Sequence, residues 1–230
     1  MADVMIFKRY EKKYMLSEEE YCTFMHLVRD RLVPDKHGRN TLCSLYLDTP
    51  DFLLIRNSID AQSYKEKLRM RSYGAPKDEK KLFFEIKKKY KGVVYKRRVC
   101  LTEKEALEYI ESGVPPIDSQ IMREIDYLMR FYGNPKPSVC ILCEREAYFS
   151  ADSPDVRITF DRNLRYRRGF PNDEDISRGI PITENGKIIM EIKTPGAMPL
   201  WLARALSELK IYPVKFSKYA HAYYDIKEKK

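Results

Sequence analysis

Basic side chains recur at alternate positions along several stretches of this chain, the spacing at which residues of a β-strand share one face. Lys67, Arg69 and Arg71 do so, with Leu68 and Met70 between them; Glu85, Lys87 and Lys89 follow, against Phe84 and Ile86. Arg9, Glu11 and Lys13 form an earlier set, and Lys96 with Arg98, Arg145, Arg157, then Glu191 with Lys193 continue the pattern. A single stretch of this kind is ordinarily a solvated outer face. Repetition of one sign is different, because like charges opposed on neighbouring strands destabilise their pairing and solvated sheets mix signs. Lys and Arg dominate here, with three acids set among them, Glu11, Glu85 and Glu191. Such a face calls for a polyanion to neutralise it. Arginine's planar fork matches phosphate oxygens, lysine adds mobile point charge, and Glu11 and Glu191 offer hard oxygen ligands for Mg2+ or Mn2+.

Eight runs read as the strands that must position these residues: roughly 5–15, 41–47, 63–73, 81–90, 93–101, 139–149, 155–161 and 187–194. Gly92 predicts a tight hairpin between the fourth and fifth. Ser17 with Glu20 three residues on opens a helix reaching Leu32, and Thr102 with Glu105 opens a shorter one ending near Gly113. Ile121, Ile125, Leu128 and Met129 form an apolar stripe over 118–132; Pro199 begins a helix through Leu209, and 216–224 is the last. No repeat, linker or low-complexity stretch interrupts residues 1–230, which read as one α+β domain. Turning the charged faces inward gives an eight-stranded antiparallel β-tunnel, a closed barrel with a charged lumen and its apolar faces against surrounding helices.

The bulk properties agree: 43% hydrophobic residues suffice for a core, while 33% charged residues and a net charge of +9 point to an anionic partner. A Gly-x-x-x-x-Gly-Lys-Ser/Thr loop is absent, which excludes a P-loop nucleotide site. Long nucleic acid is disfavoured, because an enclosed tunnel cannot be threaded from the middle of a strand. Cys140 and Cys143 lie together in a strand-like run without the second pair a zinc site needs, so the five cysteines read as buried free thiols in a reducing cytoplasm. Met1 to Phe7 is too short and too soon charged for a signal peptide, and no apolar run approaches the ~18 residues of a transmembrane segment. A cytoplasmic location is expected. His26 and His37 read as surface residues, and His221 as a neighbour of the tunnel mouth. Aromatics read chiefly as core, with Tyr14, Tyr73 and Tyr95 as candidates to flank an adenine at the entrance.

An ordered set of motifs spans nearly the whole chain: Arg9-Tyr-Glu-Lys-Lys-Tyr14, Ser44-Leu-Tyr-Leu-Asp-Thr-Pro50, Tyr64-Lys-Glu-Lys-Leu-Arg-Met-Arg-Ser-Tyr-Gly74, Phe84-Glu-Ile-Lys87 and Val94-Tyr-Lys-Arg-Arg98. Glu144-Arg-Glu-Ala-Tyr148, Val156-Arg-Ile-Thr159, Met190-Glu-Ile-Lys193 and Lys215-Phe-Ser-Lys-Tyr219 follow. At these residues the sequence resembles the VTC domain of the CYTH-like, triphosphate tunnel metalloenzyme superfamily. The resemblance implies an eight-stranded tunnel and a metal-dependent phosphotransferase, a polyphosphate polymerase that moves the γ-phosphate of ATP onto a growing inorganic polyphosphate with Mn2+ or Mg2+. Carried over by motif, the phosphate ligands are Lys13, Arg69, Arg71, Lys87, Lys96, Arg145, Arg157, Lys215 and Lys218, with Glu191 as metal ligand. Lys193, Arg98 and Arg9 join them as further tunnel-lining binding candidates, resting on alternation.

One departure from the superfamily pattern bears on mechanism. Hydrolytic members open with Glu-x-Glu-x-Lys, whose carboxylates hold metal and position water; this chain has Arg9-x-Glu11-x-Lys13. The change disfavours hydrolysis and suits a phosphate nucleophile. Glu11 stays open between a supporting place behind the metal's own ligands and an ion pair holding Arg9 or a lumen lysine. The alternatives are a tripolyphosphatase or triphosphatase and a non-catalytic polyphosphate-binding module. Coupling to transport, as in the membrane complexes of eukaryotic members, would require a membrane-protein partner.

Overall fold

The alternating stretches become strands whose two faces meet different surroundings. In chain order the computed structural model has β1 (Tyr10–Leu16), α1 (Glu18–Val28), a 3-10 turn (Arg29–Arg31), β2 (Leu32–Pro34), β3 (Asn40–Asp48), α2 (Leu53–Asp60), β4 (Tyr64–Tyr73), β5 (Lys81–Tyr90), β6 (Val93–Thr102), α3 (Glu103–Ser112), α4 (Gln120–Phe131), β7 (Lys136–Ser150), β8 (Arg157–Arg168), β9 (Ile180–Pro181), β10 (Ile188–Thr194), α5 (Leu200–Glu208) and α6 (Lys218–Glu228). It describes residues 10–36, 38–61, 63–73, 81–91, 93–169 and 179–229. Arg9, Gly92 and His37 lie outside the described residues.

The strands form one antiparallel sheet in the order β1-β10-β8-β7-β3-β4-β5-β6, with β2 added to β7 and β9 to β8. The antiparallel α+β architecture expected from the sequence is present, without hydrogen-bonded closure of the sheet into an eight-stranded barrel among the described residues. Among the described residues no ladder joins β1 to β6; the outer edge of β1 is met instead by the segment entering α6, where Val214 N donates to the Lys13 carbonyl at 2.7 Å and Tyr14 bridges Pro213. The sheet is nevertheless strongly curled. Glu11 of β1 reaches Lys87 of β5 at 3.0 Å, although five strands lie between them in the order.

Apolar residues of the convex face bury against helices in two clusters. Leu68, Met70, Phe84, Ile86 and Leu142 pack beneath α3 and α4, where Met122, Ile125, Leu128 and Met129 are buried at helical spacing. Tyr14, Leu16, Ile158, Phe160, Met190 and Ile192 pack with Phe24 and Val28 of α1 and Leu202 and Leu206 of α5. Each such large side chain contributes roughly 1.5–3 kcal/mol on burial. Of the other two helices, α6 lies on the concave side, where Tyr219, Ala222, Tyr223 and Ile226 pack on Tyr46, Val139, Ile141 and Tyr166, and Ile55 of α2 joins the same cluster.

Local signals explain the boundaries. Ser17 Oγ accepts from Glu20 N at 3.1 Å while Ser17 N donates to the Glu20 carboxylate at 2.7 Å, closing the capping box. α1 ends at Val28 rather than Leu32, because Leu32–Pro34 pairs with Tyr148–Ser150 of β7. Gly113, at φ +71°, terminates α3 as expected. α2 was not legible: its cap is Asp48, whose carboxylate accepts from Leu54 N at 2.8 Å and Ile55 N at 3.1 Å from six and seven residues upstream. β8 runs to Arg168 rather than Asp161 and carries an extra residue opposite β7 between Arg162 and Arg165. This bulge reverses its facing, so Asp161 lies on the concave side before it and Leu164 and Tyr166 after it.

Candidate functional site

The concave face collects the charged members of the alternating strands. Lys67, Arg69 and Arg71 come from β4, Glu85 and Lys87 from β5, Lys96 from β6, Arg145 from β7, Asp161 from β8, Glu191 and Lys193 from β10, Glu11 and Lys13 from β1. Lys218, at the first turn of α6, enters from below. Lys13 Nζ donates to the Phe216 carbonyl at 2.9 Å and Lys67 Nζ to Ser217 Oγ at 3.3 Å, which ties the approach to α6 into the cation array.

Among the described residues four carboxylates share this face: Glu11, Glu85 and Glu191, set there by the sequence reading, and Asp161, which was not. Glu85 lies opposite Arg69 in the β4–β5 ladder; its carboxylate is 2.8 Å from Arg69, 2.5 Å from Lys96 and 4.0 Å from Arg71. Asp161 lies opposite Arg145 and accepts from it in a fork at 2.6 and 2.7 Å, with Lys218 as a second partner. Glu191 pairs with Lys193 at 3.0 Å and Glu11 with Lys87 at 3.0 Å. Glu11 is therefore an ion-pair partner of a concave-face lysine, one of the two roles the sequence left open. Burial opposes ionisation at Glu85, yet Arg69, Arg71 and Lys96 hold its pKa at about 2. Burial likewise opposes ionisation at Glu191, and Lys193, Lys13, Lys87 and Arg145 hold it well below the usual carboxylate range.

Crowding acts on the cations in the opposite sense. Burial, only partly opposed by Tyr46, lowers Lys67 to about 8, with Lys13, Lys87 and Arg69 adding to the fall. Burial lowers Lys96 to about 8 against the pull of Glu85, and lowers Lys13 as well. Burial would raise the Tyr46 phenol, but Arg69, Lys67 and Arg71 bring it down to about 7. Tyr46 stacks on Tyr219 with ring centroids 4.4 Å apart and places its hydroxyl 3.5 Å from Arg69. A face with so many lowered lysine and tyrosine protons is short of negative charge.

The family follows from a comparison that spans this arrangement: the VTC domain matches residues 8–226. The chain belongs to the VTC-domain family. Solved structures similar to it include a candidate adenylate cyclase from Bacillus halodurans, at 15% identity and a TM-score of 0.55, covering 91% of this chain and 95% of that one. A second, a candidate adenylate cyclase from Vibrio parahaemolyticus, has 12% identity and a TM-score of 0.52, covering 95% and 99%. At such identities they share the fold with this VTC domain. No curated protein sequence matches it.

Within the VTC domain, not every residue expected at the site joins the cluster. Lys13, Arg69, Arg71, Lys87, Lys96, Arg145, Lys193 and Lys218 do. Arg157 sits at the rim, 2.8 Å from Asp35 and against the Phe149 ring. Arg98 keeps the charged face that alternation predicted, opposite Glu85 in the β5–β6 ladder, but is exposed over the Phe83 ring; Lys215 is exposed in the segment before α6. Tyr14 is buried in the convex core and Tyr95 faces away from Lys96, so of the three tyrosines expected near an adenine only Tyr73 keeps the concave side, edge-on to Phe83. His26 is exposed on α1; His221 is exposed, its ring 4.3 Å from that of Phe216. Cys140 and Cys143 are buried, Cys140 with its sulfur 3.1 Å from Cys43, whereas Cys22 and Cys100 are exposed, against the expectation of burial.

Lys67, Glu85 and Asp161 are the site residues the motif transfer missed. Period-two spacing from Arg69, Lys87 and Arg157 puts each on the charged face, so the signal was present. No helix among the described residues is long and apolar enough to cross a membrane.

Glu191 and Glu11 suit a hard divalent ion. Both are ionised oxygen donors, they lie close enough to repel one another, and their side chains keep 11% and 20% exposure toward the concave face. Among the described residues no group of three or more His, Cys, Asp or Glu gathers to hold a metal ion, so an ion at Glu191 and Glu11 would need further ligands from phosphate oxygens and water.

Proposed function

We propose that this VTC domain is a polyphosphate polymerase, transferring the γ-phosphate of ATP to the end of a growing inorganic polyphosphate. The observation that supports the reading is the convergence of Lys13, Arg69, Arg71, Lys87, Lys96, Arg145 and Lys218 on one concave face from β1, β4, β5, β6, β7 and α6. Two polyanions must meet for this reaction, and positioned cations remove the repulsion that keeps them apart. Arg69 and Arg71 lie two residues apart on β4, about 7 Å along the strand. That spacing lets them hold successive phosphates while Lys87 and Lys96 cover the adjacent strands. A terminal oxygen of polyphosphate, already ionised at neutral pH, attacks the γ-phosphorus; the bond from that phosphorus to the β–γ bridging oxygen breaks, and ADP leaves with that oxygen. No proton changes hands, so no histidine is required as a base. Mn2+ or Mg2+ held by Glu191 and Glu11 would supply Lewis-acid screening of the phosphate oxygens.

The test is incubation of purified protein with ATP and Mn2+, with products resolved on a gel stained for polyphosphate, beside Glu191→Gln. A ladder of long products from the wild type, lost in the variant, is expected. Free phosphate without a ladder would replace the reading by a triphosphatase. Tight polyphosphate binding without ATP turnover would replace it by a binding module.

A further inference from the structure

The four carboxylates of the concave face divide by depth. Glu191 and Glu11 are 11% and 20% exposed, whereas the side chains of Glu85 and Asp161 are 0% and 1% exposed. The cations around the deep pair remain reachable: Arg69 at 12%, Arg71 at 11%, Lys96 at 36%, Arg145 at 18% and Lys218 at 16%. Glu85 and Asp161 thus lie beneath the cations, on the side away from an incoming polyanion.

Their placement is also symmetrical in function. Glu85 is the directly opposed neighbour of Arg69 and joins β4, β5 and β6 through Arg69 and Lys96. Asp161 is the directly opposed neighbour of Arg145 and joins β7 and β8 to α6 through Lys218. Long cationic side chains lose rotamer freedom when a ligand orders them, and an arginine held at one edge of its guanidinium keeps its other N–H groups for phosphate.

We propose that Glu85 and Asp161 are positioning residues, each holding one wall of the cation array in a fixed arrangement before a phosphate chain arrives. The inference rests on the polyphosphate reading of this face and adds a role to two acids outside the metal and phosphate ligands. Its consequence opposes simple charge accounting. Removing a negative charge from a polyanion site should tighten binding; removing a clamp should weaken it, because the cations splay apart and must be reordered by the ligand.

The experiment measures the affinity of wild type, Glu85→Gln and Asp161→Asn for inorganic polyphosphate by calorimetry across a salt series, with thermal unfolding alongside. Each variant is expected to bind at least ~10-fold more weakly, with a shallower dependence of log affinity on log salt, as fewer phosphates are neutralised. Equal or tighter binding by a folded variant overturns the proposal, as does a lowered melting temperature with unchanged affinity and salt slope, which marks a structural role alone. Should the neutral variants fail to fold, Glu85→Asp decides: it keeps the charge but shortens the reach to Lys96 and Arg71, so weaker binding supports the clamp and unchanged binding refutes it. Failure of the wild type to bind polyphosphate would overturn the reading of the face itself, and the clamp with it.

Discussion

Polyanion affinity at this site should fall steeply as pH rises through 8. Lys67 and Lys96 each have a pKa brought to about 8, in both cases by burial first. Between pH 7 and pH 9 the protonated fraction of such a lysine drops from about nine-tenths to about one-tenth. A bound phosphate favours the charged form, so each lysine must take up a proton to bind at pH 9 at a cost of about tenfold in affinity. Two lysines acting together give about 100-fold, or about 2.7 kcal/mol. Tyr46, at about 7, becomes a phenolate over the lower part of the same range and works in the same direction. The assay is isothermal calorimetry with a long polyphosphate, whose internal phosphates keep one charge throughout, at pH 7, 8 and 9 in buffers of different ionisation enthalpy. Net uptake of between one and two protons is expected at pH 9, and Lys67→Arg with Lys96→Arg should flatten the profile. Affinity constant within threefold over this range, without proton uptake, would refute the argument that burial has lowered these lysines.

Two further outcomes concern stability. Asp48→Ala removes the acceptor for Thr49 N, Leu54 N, Ile55 N and the Tyr219 hydroxyl, so chemical denaturation should show a loss of about 3–5 kcal/mol, one cap plus buried donors left unpaired; a loss under 1 kcal/mol would contradict it. Glu85 has its pKa lowered from an ordinary 4.5 to about 2, so it contributes stability above pH 4.5 that disappears as pH falls toward 2, by about 3 kcal/mol at most; Glu85→Gln should lack that portion of the acid-induced loss in urea unfolding at pH 5 and pH 3.

The charged face of this protein was largely legible in its alternation. Period-two spacing of Arg69 and Arg71, of Lys87, and of Glu191 and Lys193 decides which face each occupies, because a strand has only two faces and the apolar one must be buried. The caps at Ser17 and Thr102 were legible for the same reason: their hydrogen bonds close within three residues. Other features depend on partners distant in sequence. α2 takes its capping carboxylate from β3 and that carboxylate's fourth donor from Tyr219, 171 residues away. Among the described residues no ladder closes the sheet, and the segment at Pro213 and Val214, far along the chain from Lys13 and Tyr14, takes the edge of β1. Above all, alternation places Glu85 and Asp161 on the charged face but is silent about depth. Only the curl of the sheet, with α6 laid into it, decides that these two carboxylates lie under the cations while Glu11 and Glu191 remain in reach of a ligand, since depth is set by which strands and helix converge above a residue.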